Sequence, residues 1–161
     1  EALLLGGKTV LMHDGHVTQF GTTVDIYRQP IDIVSASVFS DPPINQITVT
    51  KKGGTFKFDA APVEWTASDA TKSLTDGSYI MAIRPNNVVP VKTKAAKVAV
   101  KGMITVTELS GSESSAHFTF ADQNWVSLAH GIHPYEIGAD HTFYMDPAHC
   151  FFFSRDGQLV A

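Results

Sequence analysis

The chain is a succession of short apolar runs rich in β-branched and aromatic residues, broken by glycine, proline, aspartate and asparagine rather than by long polar stretches. Residues 8–12 and 17–20 are the first two runs. His13-Asp14-Gly15-His16 lies between them, and an Asp-Gly pair supplies the positive φ of a tight turn, so the two runs read as a β-hairpin. Gly21 ends the second strand. Thr22 stands three residues before Asp25, a capping-box pattern that opens a short helix through Tyr27, and Pro30 breaks it. A second helical run covers 32–39, with Ile33, Val34, Ala36 and Phe39 apolar. Asp41-Pro42-Pro43 stops it, because proline cannot continue the hydrogen-bond ladder.

From residue 44 onward the pattern is β throughout. Strands are expected at 46–50, 55–58, 63–65, 78–84, 98–109, 116–120, 125–129, 141–145 and 151–153, with loops at 66–77 and 91–97. Short strands at a spacing of roughly 8 to 12 residues, separated by Gly, Asp and Asn turns, point to a mainly β fold, a small barrel or sandwich. The hairpin has no obvious third strand. A two-stranded ribbon is marginal in water, so it is expected either to pair with another chain or to pack onto the barrel.

Composition narrows the function class. Of 161 residues, 43% are apolar and only 17% charged, and at this length a core of ordinary size needs no disulfide or structural metal. Twelve basic against sixteen acidic residues give a net charge of -4, which disfavours a binder of nucleic acid. Lys92, Lys94, Lys97 and Lys101 crowd together, and the pattern is that of a solvated loop leading into a strand. The single cysteine, Cys150, precedes Phe151-Phe152-Phe153 and reads as a small buried hydrophobe, as in a reducing, cytoplasmic setting. Leu3-Leu4-Leu5 stops at Gly6-Gly7, too short for a signal peptide or a membrane span, so the chain is expected to be soluble by itself.

Chemistry-bearing motifs are sparse. Gly6-Gly7-Lys8-Thr9 imitates the end of a phosphate-binding loop, but Ala2 stands where its first glycine belongs, and a strand follows where a helix is needed. His130, His133, His141, His149 and Cys150 are metal-type donors without a zinc spacing, and Pro134 disfavours a helix that would align the first pair. Serines 110, 112, 114 and 115 flank Gly111 and Glu113 with no Gly-x-Ser-x-Gly pattern. They describe either a polar hairpin turn or a carboxylate-bearing loop that docks a partner or small ligand. Arg84-Pro85 closes an apolar strand, and its guanidinium suits an internal ion pair with a carboxylate, Glu108 or Glu113 among the candidates. Asp146-Pro147 marks a turn before the last apolar strand.

The order of these pieces resembles the C-terminal third of ATP-binding subunits of carbohydrate-type ABC importers, the maltose-importer-like group that carries a TOBE region. The fragments are Met12, Gly15, Gln19 and Gly21; Thr22, Ile26, Tyr27 and Pro30; Pro42, Pro43 and Asn45; Ile83-Arg84-Pro85; Glu108, Gly111, Ser112 and Glu113; and Asp146-Pro147 with Phe153 and Gly157. They cover nearly the whole chain. Two positions depart from the family: Gly6-Gly7 stands where Ala-Asp is usual, which points to a glycerol or polyol branch, and Asn86-Asn87 stands where Glu-His is common.

The resemblance implies an OB-fold-like small β-barrel (TOBE) preceded by a β-hairpin and two short helices. Residues 1–43 would be the tail of the nucleotide-binding domain and 44–161 the regulatory domain. It implies a regulatory and dimerisation role, a homodimer, transmembrane subunits as partners through the parent protein, and a place on the inner face of the cell membrane. ATP and magnesium would belong to the parent subunit, with no catalytic residue, cofactor or metal site in this chain and no ATP hydrolysis by it alone. Glu108, Gly111, Ser112 and Glu113 would form a loop facing a regulatory protein or small effector, while Arg84, Pro85, Asp146 and Pro147 would be structural. The competing reading is a stand-alone OB-like module for a small anion or other small ligand.

Overall fold

A computed structural model describes residues 2–161. The N-terminal part holds α1 (Ala2–Leu5), β1 (Lys8–His13), β2 (His16–Thr22), α2 (Thr23–Arg28) and α3 (Ile33–Val38). β1 and β2 form a separate two-stranded sheet, turned by Asp14 and Gly15 at φ of 50° and 79°. That turn is the one the Asp-Gly pair predicts. Thr22 caps α2, its Oγ1 accepting from the Asp25 amide at 3.2 Å, and Asp32 caps α3 by accepting from the Ser35 amide at 2.7 Å. Each cap satisfies one of the amides that a helix start leaves without a partner.

The body comprises β3 (Asn45–Lys52), β4 (Thr55–Phe58), β5 (Glu64–Thr66), β6 (Gly77–Ile83), β7 (Val88–Val89), β8 (Val98–Leu109), β9 (Glu113–Phe120), β10 (Gln123–His130), β11 (Asp140–Met145) and β12 (Phe151–Phe153). One five-stranded sheet runs β10-β9-β8-β11-β7 and the other β12-β6-β3-β4-β5. Together they make a nearly closed small barrel, the mainly β fold that the strand spacing implies. Alternation places Ile47, Val49, Phe56, Phe58 and Met81 of one sheet against Val100, Ile104, Phe118, Phe120, Trp125 and Phe143 of the other. Phe58 meets Phe120 edge-on across the barrel with ring centres 5.3 Å apart.

Polar side chains close the seams. β10 is the edge of its sheet, and Asn45 of β3 serves it like a neighbouring strand: Nδ2 donates to the Val126 carbonyl at 2.8 Å and Oδ1 accepts from the Val126 amide at 2.7 Å. The Ser127 hydroxyl donates to the Val88 carbonyl at 2.5 Å, which ties β10 to β7 at the opposite edge of the same sheet. The Val126 backbone groups on this edge are thereby unavailable for pairing with another chain. Gly102 permits the tightest approach, since a Cβ there would lie 2.2 Å from the Thr119 carbonyl oxygen.

The structure adds elements that the pattern does not announce. Val88–Val89 is a strand of two residues, too short to show alternation, and Pro85–Asn87 and Pro147–His149 are single 3-10 turns. The hairpin pairs with neither barrel sheet. Its inner face packs on α2 instead, with Leu11 and Ile26 buried and Thr9 Oγ1 2.8 Å from Thr23 Oγ1. Its outer face leaves Val10, Met12, Val17 and Phe20 exposed. α3 behaves differently. Ile33 and Ala36 pack with Ile44, Ala82, Phe153 and Leu159, and Ile33 N donates to the Gly157 carbonyl at 2.9 Å.

Candidate functional site

Glu108, Gly111, Ser112 and Glu113 sit at the end of the β8–β9 hairpin. Gly111 adopts φ +81°, a left-handed conformation that costs a residue with a Cβ. The Ser110 amide donates to the Glu113 carbonyl at 3.0 Å, and the Ser112 carbonyl accepts from the Gly131 amide at 2.8 Å, which holds the loop against the segment after β10. The register pairs Glu108 with Ser115 and Glu113 with His130, so both carboxylates stand on one face of the sheet. Glu108 Oε2 accepts from the Ser115 hydroxyl at 3.4 Å, and Glu113 Oε1 lies 3.5 Å from His130 Nδ1.

Arg84 corrects an expectation. It is buried, and among the described residues it makes no ion pair with any carboxylate, Glu108 and Glu113 included. Nη1 donates to the carbonyls of Phe39 at 2.7 Å and Ala36 at 3.4 Å, and Nη2 donates to that of Tyr27 at 2.8 Å. These carbonyls belong to the last turns of α2 and α3, where helix carbonyls lack intrahelical partners and carry partial negative charge. The guanidinium also lies over the Tyr27 ring, 3.8 Å from its centre. Burial lowers its pKa from the ordinary value and Tyr27 acts in the opposite direction. Helix ends have replaced the carboxylate, and one side chain from the end of β6 joins both helices to the barrel.

Arg84, Pro85, Glu113 and His130 come together in the wall of a cleft of about 550 Å³, with Leu11, Tyr27, Val38, Phe39, Asp41 and Leu128. The cleft lies between the N-terminal hairpin, the junction after α3 and the outer face of β9 and β10. The sequence pattern singles out Arg84 and Glu113 but not His130 or Leu128. Those two enter only through the β9–β10 register, which no local pattern encodes.

Asp146 caps a 3-10 turn, Oδ1 accepting from the Ala148 amide at 2.9 Å, and Pro147 opens that turn. Cys150 is buried, and desolvation with the nearby Asp146 raises its thiol pKa, so it is a core sulfur and not a nucleophile. No group of three metal-type donors converges among the described residues. His133 instead places Nε2 2.9 Å from the His130 carbonyl, and His141 turns inward beside Phe143. Lys8 lies in β1 with its ammonium over the Phe20 ring, so Gly6-Gly7-Lys8-Thr9 is not built as a phosphate loop. No helix among the described residues is long and apolar enough to cross a membrane.

The nearly closed β-barrel contains a stretch that the comparisons identify: residues 81–153 match the TOBE domain. Along nearly its whole length the chain is similar to ABC-transporter ATP-binding subunits. It is 28% identical over 99% of its length to the uncharacterized ABC transporter ATP-binding protein YcjV of Escherichia coli, covering 45% of that protein. It is 26% identical over 98% of its length to the E. coli maltose/maltodextrin import ATP-binding protein MalK, covering 44%. Likeness to the xylose/arabinose import ATP-binding protein XacK of Haloferax volcanii is 27% over 76% of the chain and 32% of that protein. The chain thus spans less than half the length of the relatives it matches.

Proposed function

We propose that this chain is the regulatory and dimerisation part of the ATP-binding subunit of an ABC importer for a sugar, polyol or glycerol-type solute. The observation that carries the reading is likeness along nearly the whole chain to ATP-binding subunits of which it spans less than half. The remaining half would supply the groups that hold ATP and magnesium, and this chain alone would not hydrolyse ATP. The exposed outer face of the hairpin supports a place on that ATPase core, with residues 1–43 as its tail and 44–161 as the regulatory domain. In the intact transporter two copies would pair through the barrel, beneath transmembrane subunits at the inner face of the membrane.

The Glu108–Glu113 loop is the candidate regulatory surface within this reading. Its carboxylates share one face, and among the described residues the charged group nearest Glu113 is the exposed imidazole of His130, which leaves room for a cation from a regulatory protein or effector. In the intact transporter, Glu113→Ala should change the response of transport to its regulator. The stability of the barrel should stay within about 0.5 kcal/mol, as for an ordinary surface substitution. Unfolding, or transport regulated as before, would assign the loop a structural role only. Calorimetry of the chain with ATP is the companion measurement, and micromolar binding would contradict the division of labour proposed for the two halves.

A further inference from the structure

On the other side of Arg84 from the large cleft lies a smaller recess of about 220 Å³, bounded by the end of α2, the turn before β7 and the 3-10 turn before β12. Its polar lining is one-sided: Arg28, Arg84, Asn87 and His149, with no carboxylate among the lining residues. None of the ion pairs formed by the described residues involves either arginine. Asp25 bonds to Thr22 and Asp146, beside the recess, caps the Ala148 amide, and neither carboxylate pairs with an arginine. Arg84 spends three of its five N–H donors on carbonyls, which leaves Nε and one Nη2 hydrogen. Among the described residues, this buried guanidinium with donors to spare and the second arginine beside it have no carboxylate partner.

We propose that this recess binds a phosphoryl group, as free phosphate or as the head of a small phosphate monoester. The four donor-bearing residues that line it come from α2, the end of β6, the turn before β7 and the turn before β12. Donors converging from several directions suit a tetrahedral oxyanion with three or four acceptor oxygens better than a planar carboxylate, and arginine is the residue of choice for phosphate. The volume admits the group or a small monoester of it and is under the roughly 300 to 1,000 Å³ of sites for larger ligands. The anion would bridge Arg28 of α2 to Arg84 and His149 of the barrel. Its binding would therefore stiffen the same junction that Arg84 builds. The site is separate from the Glu108–Glu113 loop and does not depend on the transporter reading.

The test is a titration of the full chain with inorganic phosphate at constant ionic strength, followed by amide chemical shifts. Saturable binding in the low-millimolar range or tighter is expected, a Kd of 1 mM corresponding to about 4 kcal/mol. Arg28→Gln and His149→Gln, both at exposed residues, should each weaken it about tenfold, the size of one charge-assisted hydrogen bond. Arg155→Gln, a cation outside the recess, should leave it unchanged. Methyl phosphate separates the two sources: comparable binding indicates a monoester site, and a large loss indicates free phosphate. Absence of saturation by about 20 mM, a range too weak for a built site, would overturn the proposal. So would equal shifts with acetate, or an Arg155→Gln loss as large as that of Arg28→Gln.

Discussion

The barrel and the N-terminal hairpin are both antiparallel β structures made from similar residues, yet only one of them satisfies itself. In the barrel, alternating apolar positions from two sheets bury Trp125, Phe118, Phe143 and Phe56 almost completely, and Asn45 and Ser127 close the seams. In the hairpin, alternation puts Leu11 on the face that has a neighbour and Val10, Met12, Val17 and Phe20 on the face that has none. Leu11 is covered by α2, while Phe20 keeps 61% and Met12 63% of its surface exposed. Strand pairing alone does not make a folded unit; a second layer does. The contrast also explains why the junction is built around a buried arginine: the hairpin and α2 contribute little core of their own and are held through Arg84.

The largest test of this contrast is Trp125→Ala. The indole is fully buried and its Nε1 donates to the Gln46 carbonyl at 3.3 Å, so the barrel should lose about 3–5 kcal/mol in thermal or denaturant unfolding. Arg84→Lys should cost about 2–3 kcal/mol, because one ammonium cannot reproduce three carbonyl bonds and a stacked plane. The loss should appear first as faster hydrogen exchange in α2 and α3. If exchange rises equally in β8 and β9, Arg84 supports the barrel as a whole and not the junction.

Smaller effects should stay local. Thr22→Ala removes the α2 cap at a cost of about 1 kcal/mol, visible in exchange of the α2 amides with the barrel transition unmoved. Phe20→Ser should change stability by less than about 0.5 kcal/mol despite deleting a large apolar side chain, because that ring is already in water. A multi-kcal/mol loss there would mean that the hairpin face is covered in the isolated chain, and the contrast between the two regions would collapse.

Local features were legible to the extent that local physics creates them. The Asp14-Gly15 turn, the Thr22 cap and the strands 55–58, 98–109 and 151–153 follow from turn chemistry, capping and alternation, and the structure has them at those positions. Burial of Cys150 among phenylalanines was equally legible. Val88–Val89 was not, since a strand of two residues exists only because β11 lies beside it. The ion pair expected of Arg84 failed for a related reason. A guanidinium needs acceptors, and sequence offers carboxylates as the obvious ones, but folding brought the carbonyls at two helix ends nearer.

By itself, then, the sequence determined the alternation, the turns, the helix caps and the ordered set of motifs that marks the TOBE family, all of them set by neighbours a few residues apart. Tertiary structure decided which side chains meet across those elements. Glu113 faces His130 through strand register, Asn45 replaces a missing strand 81 residues away, and Arg28 joins Arg84 and His149 around one recess. Such groupings depend on the handedness and closure of a barrel, through which a small change in register redirects every side chain, and no local pattern carries that information.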